Sequence, residues 1–314
     1  MRALYRAILG REAESEAVIA HHLEGAPLLR DVVLRFVHSL ESLMRLSARA
    51  GAALPLLDWD DTGIEVTTDR ALLSRMLDRV RADWTQLGEA KPHYSVLTNP
   101  RFLPTELDAA REAEFFATAE EEVATFHRLC HRNGVAFEAE SVLDFGCGIG
   151  RLGGPLAARF ARYTGVDVSA PHLHQARARL AALGQAGAEL MALDAFLAAP
   201  DRRWERVISL LTLQHSPPPV MRWMLLELLL RLAPGGVAIV QIPVQRTGYR
   251  FEAAAYLATP PRGEMEMHAL PQRHVFAAVA EAGCAVLECL PDGRAGDLGQ
   301  SCTFVLRRPK GAAQ

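Results

Sequence analysis

From Ser141 onward the chain alternates short apolar runs with amphipathic stretches, and this alternation restricts the fold more than any other feature. SVLDF (Ser141–Phe145), YTGVD (Tyr163–Asp167), AELMA (Ala188–Ala192), RVISLL (Arg206–Leu211) and GVAIVQI (Gly236–Ile242) read as strands. Helical spacing fills Leu152–Arg162, Pro171–Leu183 and Pro219–Leu232 between them. Strand, crossover helix and strand in repetition give a parallel sheet with helices on both faces. A further helix (Gln272–Ala282) precedes CAVLECL (Cys284–Leu290) and SCTFVLR (Ser301–Arg307). Those two form a terminal hairpin, so one strand of the sheet should run antiparallel.

Upstream, the sequence is helical. Residues 1–50 read as a small helical domain and 51–69 as a linker, with Pro55, Gly63 and the acidic Asp58, Asp60 and Asp61. Residues 70–140 read as a helical cap or lid, and 141–314 as the catalytic domain. Within the cap, helices are expected over Arg70–Leu87 and Glu106–His131, the second closed at Asn133-Gly134. KPHYSVLTNPRFLP (Lys91–Pro104), broken by three prolines, reads as an ordered loop.

Hydrophobic residues make up 50% of the 314, enough for a sizeable core. A formal net charge of -3 offers nothing to a polyanion, so no nucleic-acid partner is expected. No run of ~20 apolar residues occurs, and the charged N-terminus lacks a signal-peptide core. Five cysteines without C-x-x-C spacing point to reduced thiols in the cytoplasm, and the scattered histidines point to no metal site.

VLDFGCGIGR (Val142–Arg151) carries the chemistry. An apolar strand ends at Asp144 and runs into Gly146, Gly148 and Gly150, which let the backbone turn sharply and approach a ligand. Asp167 ends the second strand, where a ribose diol would bind, although it also reads as a helix cap. GIGRLG (Gly148–Gly153) matches the dinucleotide pattern literally, but Gly153 falls a turn into the helix. Asp144 would repel a pyrophosphate and welcome an ammonium.

This segment resembles the D-x-G-x-G-x-G loop of class I S-adenosylmethionine-dependent methyltransferases. The resemblance extends to GVDVS (Gly165–Ser169), MALDAF (Met191–Phe196), SLLTLQHSPPP (Ser209–Pro219) and LAPGGVAIVQIP (Leu232–Pro243). It implies a Rossmann-like seven-stranded sheet, mostly parallel, with an antiparallel C-terminal hairpin. It implies S-adenosylmethionine as cofactor, held by Asp144, Gly146, Cys147, Gly148, Gly150, Asp167, Val168, Asp194, Ala195, Leu211 and Gln214. Asp194 would meet the adenine amino group, and Phe196 would pack near the ring or serve the core.

A hydroxyl acceptor gains from a base as its proton leaves. His215, just after the fourth strand, is the first candidate, with shaping of the proline turn as its alternative role. The long loop from Pro243 to Pro271 interleaves Arg246 and Arg250 with Tyr249, Phe251 and Tyr256, a mixture suited to a sugar ring bearing an anionic group. Glu266 and His268 in that loop form a second acid/base pair. His93, Tyr94, Glu120 and Glu121 stand as lid or acceptor candidates, or as core and surface residues.

YRAILGRE (Tyr5–Glu12) and LEGAPLLRDVVLRFVHSLE (Leu23–Glu41) resemble a phycobilisome-linker-like helical domain of unknown function that accompanies glycan-handling enzymes. It implies protein contacts or oligomerisation. The reading is a methyltransferase for an oxygen of a sugar or glycan precursor. Its rivals are a methyltransferase for another metabolite or a protein, a cofactor-binding scaffold, and a nicotinamide-dinucleotide oxidoreductase.

Overall fold

The computed structural model describes residues 63–296 and 299–311, together with Ser15 and Ala20. The helical reading of residues 1–50 and most of the expected linker lie outside the described residues. The chain divides into two units, Met1–Asp60 and Asp61–Gln314, and the second is described here.

Three helices precede the sheet: α1 (Arg70–Ala90), α2 (Pro92–Val96) and α3 (Ala109–Arg132). Asp69 and Asp108 cap α1 and α3 by accepting from the amides of Leu72 and Arg111 at 2.9 and 2.8 Å, each cap stabilising by about 1 kcal/mol. The alternating part then runs β1 (Ser141–Phe145), α4 (Gly153–Ala157), β2 (Arg162–Asp167), α5 (Ala170–Ala182), β3 (Glu189–Ala192), α6 (Leu193–Leu197) and β4 (Trp204–Ser209). It continues with α7 (Pro218–Leu230), β5 (Leu232–Arg246), α8 (Ala253–Leu257), α9 (Gln272–Glu281), β6 (Ala285–Pro291) and β7 (Gly299–Arg307).

The strands form one seven-stranded sheet in the order β3-β2-β1-β4-β5-β7-β6. β1 to β5 are parallel, and β7 runs antiparallel to both β5 and β6. The period of two sorts β1: Leu143 and Phe145 join a core with Met221 and Val275 of α7 and α9, while Val142 joins another with Val123, Leu156 and Leu180 of α3, α4 and α5. Each such side chain fully buried contributes roughly 1.5–3 kcal/mol. Asp144 shares the Val142 face, which turns its carboxylate toward Tyr163.

Four local expectations need correction. The stretch Lys91–Pro104 holds α2 and a 3-10 turn over Pro100–Phe102, because Pro92 and Pro100 each stand in a first helical turn, where the missing amide costs nothing. The helix expected over Leu152–Arg162 is five residues long; it stops because the Arg162 amide must reach Glu140 O (2.9 Å) to start β2. β4 ends at Ser209, two residues early, since Leu211 turns left-handed at φ 56. Residues 63–69, expected as linker, are tied to the post-β5 segment: Phe251 N donates to Gly63 O, Glu65 N to Phe251 O, and Ala253 N to the Glu65 carboxylate.

Candidate active site

The carboxyl ends of β1, β2 and β4 open into a cavity roofed by Leu77, Val80 and Trp84 of α1 and by Ser95 and Val96 of α2. Gly146, Gly148 and Gly150 all adopt positive φ (78, 55 and 80), so the turn requires glycine-like backbone. A Cβ on Gly146 would stand 2.1 Å from the Thr212 side chain, and one on Gly148 2.7 Å from Val96. Gly150 differs: it lies outside this cavity, and its closeness serves the packing of α5, since its Cβ would meet Ala176 at 3.3 Å.

The loop amides are already engaged. Gly146 N and Cys147 N donate to Val166 O at 2.7 and 3.0 Å, and Gly148 N donates to the Asp167 carboxylate at 2.8 Å. A pyrophosphate would therefore find carboxylates and occupied amides where a dinucleotide fold offers free donors. Asp144 is buried in the wall, accepts from the Tyr163 hydroxyl at 2.9 Å, and has its carboxyl pushed up by burial to about 7. Asp167 holds the amides of both Gly148 and Ser169, so it buttresses the loop as well as facing the cavity. The buried carboxyl of Asp144 suits an ammonium, and the cradle above the glycines suits a ligand that carries no phosphate.

Cys147, Val168 and Leu211 also line this cavity. Leu211 is held in its left-handed conformation by its amide, which donates to Gln241 Oε1 at 3.0 Å, and such strain costs on the order of 1–3 kcal/mol.

The third-strand residues are placed otherwise than expected. Asp194 is exposed and ion-paired to Arg81 at 2.6 Å, and neither it nor Ala195 lines the cavity, which Leu193 does instead. Phe196 is a core residue between Phe145 and Trp204. Gln214 is buried outside the cavity wall.

Residues 142–236 match the family model of a methyltransferase domain. This segment holds the glycine loop, Asp144, Asp167 and the turn after β4. The chain is a methyltransferase, with its methyltransferase domain over these residues. Its fold is that of magnesium protoporphyrin IX methyltransferase from Synechocystis PCC 6803, solved with S-adenosylhomocysteine bound. That chain is 16% identical with a TM-score of 0.52, over 74% of this chain and 99% of that one. A methyltransferase from Clostridium acetobutylicum ATCC 824 is also similar, at 14% identity and a TM-score of 0.48, over 69% of this chain and 96% of that one. The dinucleotide rival fails on the engaged loop amides and the two inward carboxylates.

Beyond this cavity lies a second cleft, walled by Arg246, Tyr249, Phe251, Tyr256, Glu266 and His268. The two are joined through the turn after β4. His268 N donates to Gln214 O at 2.7 Å, and His215 Nδ1 donates to Glu266 O at 2.8 Å. Because a carbonyl only accepts, His215 carries its proton on Nδ1, and Nε2 accepts from the Gln214 amide at 3.1 Å. Gln214 in turn accepts from Gln241, which donates also to Ser301. Both nitrogens of His215 are thus occupied, and burial pushes its imidazole down to about 4.

Glu266 and His268 come together as the spacing proposed, at 3.2 Å. Glu266 is held below the usual carboxylate range, first by the hydrogen bond from His268, with Arg79 of α1 adding its charge at 2.7 Å. An ionised carboxylate accepts only, so His268 bears its proton on Nε2, and Nδ1 accepts from the Tyr249 hydroxyl at 2.6 Å. Burial pushes the Tyr249 phenol up, which keeps it a donor.

Arg79 and Trp84 do not stand out in the sequence as members of these sites. Trp84 shares α1 at helical spacing with Leu77 and Val80, a signal present but without meaning until α1 is known to roof the cavity, and Arg79 reaches Glu266 from the same helix. His93 packs against Phe115 and Phe116 in the core, and Glu120 pairs with Arg159 at the surface. Among the described residues there is no cluster able to hold a metal ion and no helix long and apolar enough to cross a membrane.

Proposed function

We propose that this methyltransferase acts on an oxygen of a sugar or glycan precursor, and that His268, not His215, receives the acceptor's proton. The observation that carries the reading is the hydrogen-bonded series Glu266–His268–Tyr249 in a cleft of aromatic walls and arginines. Aromatic faces suit the C–H faces of a sugar ring, and an arginine suits a phosphate or carboxylate on it. The phycobilisome-linker-like resemblance of the N-terminal segment adds to the glycan reading. Residues 1–50 and 70–140 stand in it as attachment domain and lid.

S-adenosylmethionine supplies the electrophilic methyl group when bound. The chain's own work is to position, desolvate and move a proton. A hydroxyl brought to Tyr249 can pass its proton to the phenol oxygen as the phenol proton moves to Nδ1 of His268. Glu266 offsets the resulting imidazolium, and Arg79 fixes Glu266. His215 shapes the turn: with Nε2 occupied and its basicity lowered, it is a poor proton acceptor.

The test is transfer of labelled methyl from the cofactor to a panel of sugar phosphates and nucleotide sugars. His268→Ala should lower kcat by ~10²–10⁴-fold with cofactor affinity unchanged, while His215→Asn retains most of the rate. Full turnover in His268→Ala would remove the base from this cleft, and methylation of proteins but not of sugars would overturn the acceptor class.

A further inference from the structure

A cleft between α3, α4 and α5 belongs to neither site above. Its volume of about 610 Å³ falls in the size range of small-molecule sites. It shares Arg151 with the cofactor cavity, and no residue of β4, β5 or the segment after β5 lines it. α3 is two-faced here. Phe115, Ala119 and Val123 turn inward, whereas Ala109, Ala113, Phe116 and Ala117 line the cleft, which the three alanines leave open. The cations of the cleft are unmatched. Arg179 of α5 lays its guanidinium on the Phe116 ring at 4.0 Å, and among the described residues its buried Nε has no hydrogen-bond partner. Arg151, 4% exposed, likewise leaves its Nε without one. The acids of the rim have other neighbours: Glu120 is paired to Arg159 at 3.0 Å, and Glu112 stands 3.6 Å from His93. Taking guanidinium nitrogens out of water is costly unless an acceptor meets them there.

We propose that this cleft binds a small carboxylic acid with an apolar body, as a site apart from methyl transfer. Arg179 takes the carboxylate. Its guanidinium is a planar fork suited to both oxygens, and stacking on Phe116 holds that fork in place while leaving its N–H edges for the anion. Arg151 adds a second positive charge from the loop. The apolar body lies along the alanines of α3 and against Leu183, which is 43% exposed. Its burial there supplies the hydrophobic part of the binding. The occupant would stand beside Gly150 and Arg151, next to the cofactor loop but outside the cofactor cavity.

The experiment measures binding of phenylacetate and of its uncharged match, phenylacetamide, to the full chain by ligand-observed magnetic resonance. Both are measured with and without saturating S-adenosylhomocysteine, which closes the cofactor cavity to them. Wild type should bind the acid roughly tenfold more tightly than the amide, with or without S-adenosylhomocysteine. Arg179→Gln should remove that preference. Ala113→Phe, which fills the cleft and keeps the charge, should weaken both probes, and it carries the comparison if Arg179→Gln does not fold. Equal binding of acid and amide by wild type overturns the inference, as does no binding of the acid at about 10 mM. Loss of the acid when S-adenosylhomocysteine is added would place it in the cofactor cavity and overturn the inference too. So would a preference for the acid that survives in Arg179→Gln, or undiminished binding in Ala113→Phe.

Discussion

At the carboxyl end of β1 the cavity wall is largely main chain: three glycines at positive φ, a left-handed Leu211, and amides committed to Val166 and Asp167. In the cleft beyond β5 the chemistry is carried by side-chain ends gathered from α1 and from two stretches of the post-β5 segment. The two carboxylates show the difference. Asp144, without a cation in contact, is pushed up to about 7, whereas Glu266, between Arg79 and His268, is held down. A main-chain cradle fixes one ligand shape and tolerates little change. A side-chain cleft can be re-aimed by altering a few tips.

The largest effect should come from breaking the cradle. Gly146→Val should abolish measurable binding of S-adenosylhomocysteine, because its Cβ would fall on Thr212 and its φ of 78 disfavours a branched side chain. The variant should still fold by circular dichroism, at reduced stability. Unchanged affinity would reduce the loop to a structural turn and erase the contrast between the two regions. Next comes the kcat loss in His268→Ala, which should leave binding of S-adenosylhomocysteine intact. A parallel loss of binding would mean that the two regions are one site.

The smallest effect sharpens the boundary. Asp194→Asn removes an exposed ion pair with Arg81, and such pairs contribute little. Cofactor affinity measured by calorimetry should not change. A clear loss would restore Asp194 to the adenine contact that its position after β3 first indicated.

The same contrast governs what the sequence made legible. The glycine loop, Asp144 and Asp167 sit within one strand–turn–helix unit, where spacing alone carries geometry. The sheet was legible for the same reason, down to the antiparallel β7. Glu266 and His268 were visible as neighbours, but Arg79 reaches Glu266 across 187 positions, and only the folded chain brings them together. His215 stands where the sequence places it, after β4, but its ring nitrogens meet the neighbouring Gln214 and the distant Glu266 carbonyl, contacts that only the folded chain brings together.

The most direct test is the affinity of wild type for S-adenosylhomocysteine as a function of pH. Asp144 must be ionised to meet the ammonium, and its carboxyl in the free protein titrates at about 7. In the unfolded chain it titrates near its ordinary value of 3.8. Between those values the folded chain keeps a proton that the unfolded chain has released. The contribution of Asp144 to stability therefore falls as pH rises across that window, and bound cofactor offsets the fall. Affinity should be flat above pH ~7 and drop by up to about tenfold for each pH unit below it. Proton release on binding should appear as a buffer-dependent enthalpy, and Asp144→Asn should show neither. Affinity that stays level from pH ~5 to ~8 in wild type, with no proton released, would contradict the placement of the ammonium at Asp144, and with it the account of the cavity as the seat of the cofactor's amino-acid end.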